Sequence, residues 1–241
     1  MSPPEFSRSV NAGVRALPRP LIAMVTDRRL YAGAPAGWAG TETVERSRAA
    51  LVAATGAAAR AGVDLVQVRE RGLDDLSLLA LVIDVRDAIA GTGARLLVND
   101  RVDVALAAAA DGAHLPGSAV ACARIRSMVP DEFLVGRSVH SVGEAMAAAA
   151  DGGCDYLFFG TVFESHSKPA GHRVAGLGAL AEVCAAVALP VLAIGGMTVE
   201  RVPDIVRAGA AGLAAIGLFA AGGERALRAT VSQIRLAFAA G

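Results

Sequence analysis

Lysine is almost missing from this chain: of 23 basic residues only Lys168 is a lysine, and all the others are arginines. The bias is genomic in character, yet an ammonium and a planar guanidinium are not interchangeable, so the single lysine is a candidate functional residue. Excess charge is missing as well. The 23 basic and 23 acidic side chains cancel, which excludes a strongly basic nucleic-acid binder and an acidic tail protein, because neither long-range field is present. Long apolar runs are absent too. Although 54% of the residues are hydrophobic, none of the runs approaches the ~18 residues that a membrane helix needs. That apolar content must then fill a soluble core, which also excludes wholesale disorder. Cysteine is scarce. Cys122, Cys154 and Cys184 are scattered without paired spacing, so they read as reduced and intracellular, neither a disulfide framework nor a zinc site. The first twenty residues lack the apolar stretch of a secretory signal and are rich in Pro, Ser and Arg. They read as a loose tail (1–20) ahead of one domain (21–241), with a cytoplasmic location and neither membrane nor nucleic acid as partner.

What is present is a repeated alternation. Eight short apolar runs stand out: Leu21–Asp27, Asp64–Glu70, Arg95–Asp100, Gly112–Leu115, Phe133–Val139, Tyr156–Val162, Pro190–Gly196 and Gly212–Gly217. Longer stretches with helical spacing separate them. Continuous rather than alternating apolar runs fit parallel strands buried on both faces. Four entrances repeat one phrase: AGVDLVQV from Ala61, ADGAHL from Ala110, DGGCDYLFFG from Asp151 and AGAAGLAAIG from Ala208. In each, the reading is a helix that ends, a Gly that takes the C-terminal turn without a Cβ penalty, and a strand that begins. Eight such units in about 220 residues are the arithmetic of a single-domain α/β protein, a (β/α)8 TIM barrel. An open doubly wound sheet is the competing reading. Its dinucleotide fingerprint should follow the first strand, and TDRRLYAGAPAG lacks that spacing.

In such a barrel the chemistry lies where the strands end. Those positions hold Gln67, Arg69, Glu70 and Arg71, then Asn99, Asp100 and Arg101, then His114, Ser138 and His140. After the sixth strand comes Phe163-Glu164-Ser165-His166-Ser167-Lys168, and the last two strands end in Gly195-Gly196 and Ile216-Gly217. The glycines of those last two ends place backbone N–H groups where an anion can approach, which points to a phosphate site rather than to tight turns alone. The segment 163–175 is long and Gly-containing, so Ser165, Ser167 and Lys168 read as a clamp for a second phosphate, against the alternative of a solvated loop. Arg69 and Arg71 sit on alternate positions and face one side; the competing role is an ion-pair layer with Asp64, Glu70 and Asp100. His140 has the strongest claim to acid/base work, because it follows a strand at the rim and imidazole is the usual side chain for proton transfer. His114 reads as a buried structural histidine, and His166 and His172 as solvent-facing.

QVRER, LLVNDRVDVALAAAADGAHL, GRSVHS, ADGGCDYLFFGTVF, LPVLAIGGMT and AGAAGLAAIGLF, in that order over residues 21 to about 220, resemble the thiamine phosphate synthase and thiazole tautomerase superfamily. The resemblance implies a (β/α)8 barrel of bacterial thiamine biosynthesis acting on a phosphorylated thiazole. By the same resemblance Gln67, Arg69 and Arg71 fall on a diphosphate-binding Gln-x-Arg-x-Lys pattern, with Arg71 in place of lysine. Asn99 and Asp100 fall on an Asn-Asp pair whose aspartate binds magnesium. Ser138 matches a strand-five serine, and Ser165, Ser167 and Lys168 match a Thr-x-Thr-Lys loop. Gly196 and Ile216-Gly217 match the thiazole-phosphate site.

One departure sets the expected activity. Where the synthase pattern carries a second magnesium aspartate, this chain has Ala119. Losing one of two protein carboxylates weakens a metal–diphosphate complex. The expectation is therefore the tautomerase branch, an isomerase that needs no cofactor and in which the Ser138-Val139-His140 motif supplies His140 to take a proton from the thiazole ring. The alternative is the synthase, a transferase that uses Mg²⁺ held by Asp100, and a third reading is a non-catalytic barrel that binds thiazole or thiamine phosphate. Barrels of this kind often pair, which admits a homodimer.

Overall fold

The computed structural model describes residues 17–31, 41–165, 174–220 and 222–241. Residues 1–16 of the expected tail, the APAGWAG segment of the 28–42 loop, and His166, Ser167, Lys168 and His172 lie outside the described residues. The chain folds into a closed eight-stranded parallel barrel, as its apolar runs require. The strands are β1 (Leu21–Val25), β2 (Leu65–Val68), β3 (Arg95–Asn99), β4 (Gly112–Leu115), β5 (Leu134–Val139), β6 (Tyr156–Phe159), β7 (Val191–Ile194) and β8 (Gly212–Ala215). Alternating with them are α1 (Thr41–Arg60), α2 (Asp75–Ile89), α3 (Val102–Ala107), α4 (Cys122–Arg126), α5 (Val142–Asp151), α6 (Gly176–Ala186), α7 (Val202–Arg207) and α8 (Glu224–Ala239). Each strand pairs with its sequence neighbour, and β1 with β8 closes the ring, Leu21 opposite Gly212. Among the described residues no helix is long and apolar enough to cross a membrane.

Side chains of a strand alternate between faces, so a strand buried on both sides feeds two cores. Leu21 and Val25 of β1, Leu65 of β2, Leu134 of β5 and Tyr156 and Phe158 of β6 fill the barrel interior. Ile22, Met24, Val66, Val98, Val135 and Leu157 point the other way and meet the helices. The strands stop sooner than their apolar runs. Thr26 and Asp27, Glu70, Asp100, Val162, Gly196 and Gly217 lie past the last ladder pairs and turn into the rim.

The repeated strand entrance carries two devices, of which the sequence pattern exposes one. Left-handed residues end the helices at Gly62 (φ +102°), Gly152 (φ +77°) and Gly209 (φ +86°). In ADGAHL, however, Gly112 is already strand, and the left-handed turn falls on Ala109 (φ +51°), which corrects the expected glycine there. The second device is the aspartate that follows. Asp64 accepts the Ile22 N–H at 2.8 Å, Asp111 the Leu96 N–H at 2.7 Å and Asp155 the Val135 N–H at 2.7 Å, so each carboxylate pins an even strand to the preceding odd one. The fourth phrase has Ala211 at this position.

The expectation of reduced, unpaired cysteines is also corrected. Cys122, at the start of α4, and Cys154, just before β6, form a disulfide across 32 residues, with their Cα atoms 5.5 Å apart. The glycine-rich turn between α5 and β6 lies directly against α4, and this packing brings the two together: a Cβ on Gly153 would come within 2.8 Å of the Cys122 backbone. Cys184 stays a free thiol, its pKa pushed up to about 11 by burial.

Candidate active site

The C-terminal rim collects the polar residues that strand alternation directs inward. Gln67 of β2 is buried and its Nε2 donates to Asn99 Oδ1 on β3 at 3.0 Å. Gln67 Oε1 is left as a buried acceptor with no donor among the described residues. Beyond β3, Asp100 adopts φ +66°, its N–H donates to the His114 carbonyl at 2.9 Å, and its carboxylate projects from the exposed rim without a hydrogen bond or ion pair among the described residues. Arg101, next in sequence, turns away and pairs with Asp75 and Asp103.

Arg69 and Arg71 are not part of an ion-pair layer. Asp64 pairs with Arg235 at the opposite end of the barrel. Glu70 accepts the Thr26 hydroxyl at 2.6 Å and the Arg28 N–H at 3.0 Å, which ties the segment after β1 to the end of β2. Burial holds the Glu70 carboxyl above the ordinary glutamate range. Arg69 and Arg71 make no hydrogen bond or salt bridge through their guanidinium groups among the described residues. Burial first, and the nearby Arg71 charge second, hold the Arg69 pKa below the usual arginine value. Two like charges kept together beside a polar floor are the electrostatic signature of an anion site.

Under this rim Ser138 of β5, His114 of β4 and Tyr156 of β6 form one chain. His114 Nε2 lies 2.9 Å from Ser138 Oγ, and Nδ1 lies 3.1 Å from the Tyr156 hydroxyl. Burial, helped by the Arg69 charge, pushes the His114 pKa down to about 3, so the ring is neutral. His140 stands at the end of β5, exposed, with Nδ1 donating to the Gly160 carbonyl at 2.6 Å and its backbone N–H donating to Glu144 at 2.8 Å.

On the far side of the mouth, the ends of β6 and β7 are zipped together. The Val162 N–H donates to the Ile194 carbonyl at 2.9 Å and the Phe163 N–H to the Gly195 carbonyl at 3.2 Å. Gly196 (φ +61°) is pressed so closely on this segment that a Cβ would sit 2.2 Å from the Glu164 carbonyl. Arg201 donates to the Gly196 carbonyl and lies over the Phe163 ring, 4.7 Å from its centroid. Ile216 opens the short turn Gly217–Phe219, and the space beside Gly217 is empty. Of the clamp proposed from sequence, Ser165 is described and half-buried, while Ser167 and Lys168 lie outside the described residues. Among the described residues no three His, Cys, Asp or Glu side chains converge as a metal cluster.

Three rim features escape the sequence pattern. Glu70 reads as an ion-pair partner of the arginines rather than as the tie to Thr26 and Arg28, Tyr156 reads as core filler, and Arg137, whose guanidinium donates to the Gly117, Ala119 and Val120 carbonyls, reads as strand interior. A buried Tyr needing a hydrogen-bond partner was the one readable signal.

Comparison with known proteins agrees with this architecture. The sequence profile of the thiamine monophosphate synthase family matches residues 41–219. The chain is 40% identical over 198 residues to the thiamine-phosphate synthase of Methanoculleus marisnigri, covering 82% of this chain and 93% of the relative. It is 36% identical over 216 residues to that of Chloroflexus aurantiacus, covering 88% and 96%. Its fold superposes on the thiamine phosphate pyrophosphorylase of Pyrococcus furiosus with a TM-score of 0.72 and 27% identity, covering 92% and 97%. These names overturn the isomerase expectation: the relatives are synthases, and the Ser138-Val139-His140 motif did not mark a tautomerase branch. A closed barrel, an ordered series of shared motifs and similarity along four fifths of its length place this chain in the thiamine monophosphate synthase family.

Proposed function

We propose that the chain is a transferase, a thiamine-phosphate synthase that joins a hydroxymethylpyrimidine diphosphate to a thiazole phosphate and releases pyrophosphate. The observation that carries this reading is the pair Arg69 and Arg71, near enough at the rim for the Arg71 charge to act on Arg69, and with neither guanidinium in a salt bridge among the described residues. Such a pair suits the dense negative charge of a diphosphate, which guanidinium forks bind bidentately. In the reaction the bond between the pyrimidine's methylene carbon and the diphosphate oxygen breaks, the thiazole nitrogen takes that carbon, and pyrophosphate departs with the electron pair. Arginines placed where that charge accumulates stabilise the departing group.

Gln67 Oε1, a buried acceptor lacking a donor, is suited to an N–H group on the pyrimidine. Ser138 faces the same cavity from β5. The glycines at Gly195, Gly196 and Gly217, with Ile216, form the cradle for the thiazole phosphate, and Ser165, Ser167 and Lys168 are assigned to the diphosphate by the Thr-x-Thr-Lys resemblance alone. The residues also fit a magnesium ion. Asp100 is a carboxylate at the same rim with no hydrogen bond or ion pair among the described residues, and Mg²⁺ is ordinarily bound by one or two carboxylates together with substrate phosphates. When bound it neutralises part of the pyrophosphate charge. Ala119 offers no second carboxylate. His140, with Nδ1 committed to Gly160, borders the site without an assigned role in bond making.

The test is incubation of the full chain with both substrates, with and without Mg²⁺, followed by chromatography. Thiamine phosphate and one equivalent of pyrophosphate are expected, with a strong dependence on Mg²⁺. Absence of both products from folded protein under all conditions overturns the reading.

A further inference from the structure

Beneath the mouth of the barrel lies a polar relay sealed by apolar neighbours. His114 and Tyr156 are fully buried, and the His114 ring is held against Phe158 with ring centroids 4.1 Å apart. Tyr156 reaches Nδ1 only because residue 136 has no side chain: a Cβ on Gly136 would lie 2.3 Å from the tyrosine oxygen and 2.6 Å from His114 Nδ1.

Counting hydrogens gives this relay a direction. The Tyr156 hydroxyl has one proton and, among the described residues, one partner, His114 Nδ1. If Nδ1 carried the ring proton, the tyrosine O–H would be a buried donor with no acceptor among the described residues, which is costly. The hydroxyl therefore donates to Nδ1. The single proton of the neutral imidazole then sits on Nε2 and donates to Ser138 Oγ at 2.9 Å. With its oxygen occupied as an acceptor, Ser138 has its own O–H left to direct into the cavity.

We propose that His114 and Tyr156 are positioning residues that commit Ser138 to act as a hydrogen-bond donor, through Tyr156 Oη to His114 Nδ1 (3.1 Å) and His114 Nε2 to Ser138 Oγ (2.9 Å), toward an anionic oxygen of the bound substrate. Arg69, whose charge reaches His114, supplies the same sign of field at the same place, so donor and cation converge on one acceptor. The role excluded for Ser138 is that of a base, since its oxygen already accepts from a ring that cannot give up the bond without stranding a buried N–H. The substrate half of this inference rests on the synthase reading; the direction of the relay does not.

Two measurements separate them. The first is ¹⁵N NMR of the free full-length protein labelled at histidine, with the His114 signals identified by their loss in His114→Gln. A protonated Nε2 and a bare Nδ1 are expected; the opposite tautomer, or a mixture, overturns the relay whether or not the protein is an active synthase. The second is steady-state kinetics of His114→Gln, His114→Asn and Tyr156→Phe beside their thermal stabilities. Glutamine can keep a donor at the Nε2 position and should remain within about threefold of wild-type kcat, whereas asparagine, which reaches only toward Tyr156, and Tyr156→Phe should each lose about tenfold in kcat. Equal losses in the two His114 variants, or losses that follow stability alone, overturn the positioning role. If wild type makes no product, the synthase reading fails, and the tautomer measurement alone decides the relay.

Discussion

A charged side chain at a barrel mouth is informative when the fold leaves it unneutralised. Arg69 and Arg71 sit two residues apart at the end of β2, while nearby acids are engaged elsewhere: Asp27 with Arg29, Glu70 with Thr26 and Arg28. Arg69 is half-buried and Arg71 is exposed, so the two should contribute unequally. Replacing Arg69 by alanine should raise the KM for the diphosphate substrate by about tenfold or more, and replacing Arg71 should raise it by less, because a desolvated charge-assisted contact is worth more than a screened one. Initial rates against diphosphate concentration measure both. The same scale supplies a pH prediction. His114 titrates near its ordinary 6.5 once unfolded, but at about 3 in the native protein. Below pH 6.5 the unfolded chain takes up a proton that the native state refuses. This stabilisation is complete above 6.5 and disappears as the pH falls toward 3. Between pH 7 and pH 5 wild type should lose about 2 kcal/mol more than His114→Gln in urea denaturation. His140 teaches the converse lesson. A histidine at a rim is legible in sequence, but its chemistry is not: the ring donates to the Gly160 carbonyl, and the relatives are named synthases rather than tautomerases.

At the scale of the element, the strand entrances decide stability. Asp155 accepts both the Val135 N–H and the Arg126 guanidinium, so Asp155→Ala would strand a buried N–H and an internal cation together. Asp111 accepts the Leu96 N–H but forms no salt bridge among the described residues. Asp155→Ala should therefore cost about 3 kcal/mol and Asp111→Ala about 1–2, compared by urea denaturation midpoints. The existence and order of all eight strands were readable because a strand buried on both faces must be apolar throughout. Their ends were overrun because Thr26, Asp27 and Glu70 continue the apolar or polar pattern after the ladder has given way to side-chain hydrogen bonds. The inward-facing Gln67, Asn99 and Ser138 were readable from alternation. The Ser138–His114–Tyr156 relay was not, since a tyrosine inside a barrel strand looks like volume until Gly136 is seen to admit its hydroxyl. The Cys122–Cys154 bridge was hidden for another reason: 32 residues separate the pair, and only the contact of α4 with the turn before β6 brings them into range.

Over the whole molecule, function depends on the closed ring gathering contributions from six strand ends at one mouth. β2 brings the arginines and Gln67, β3 Asn99 and Asp100, β4 and β5 the His114–Ser138 pair, and β7 and β8 the glycines proposed to hold a phosphate. With a net charge of zero there is no general field to draw in a polyanion, so recognition must come from this local arrangement. The same arrangement offers a divalent cation Asp100, a carboxylate without an ion pair among the described residues, on a rim that also carries Arg69 and Arg71, whose charge opposes the cation until an anion arrives. A single carboxylate in that setting is a poor site for Mg²⁺ in the empty protein and a good one once phosphate oxygens can complete the coordination. Calorimetric titration of Mg²⁺ into the protein alone should give no measurable heat of binding, and titration in the presence of inorganic pyrophosphate should give a saturable signal in excess of the protein-free magnesium–pyrophosphate blank. Asp100→Asn should abolish that excess while pyrophosphate alone still binds through Arg69 and Arg71. Tight Mg²⁺ binding by the empty protein would show a second set of metal ligands and would break the coupling between metal and diphosphate argued from the lone carboxylate.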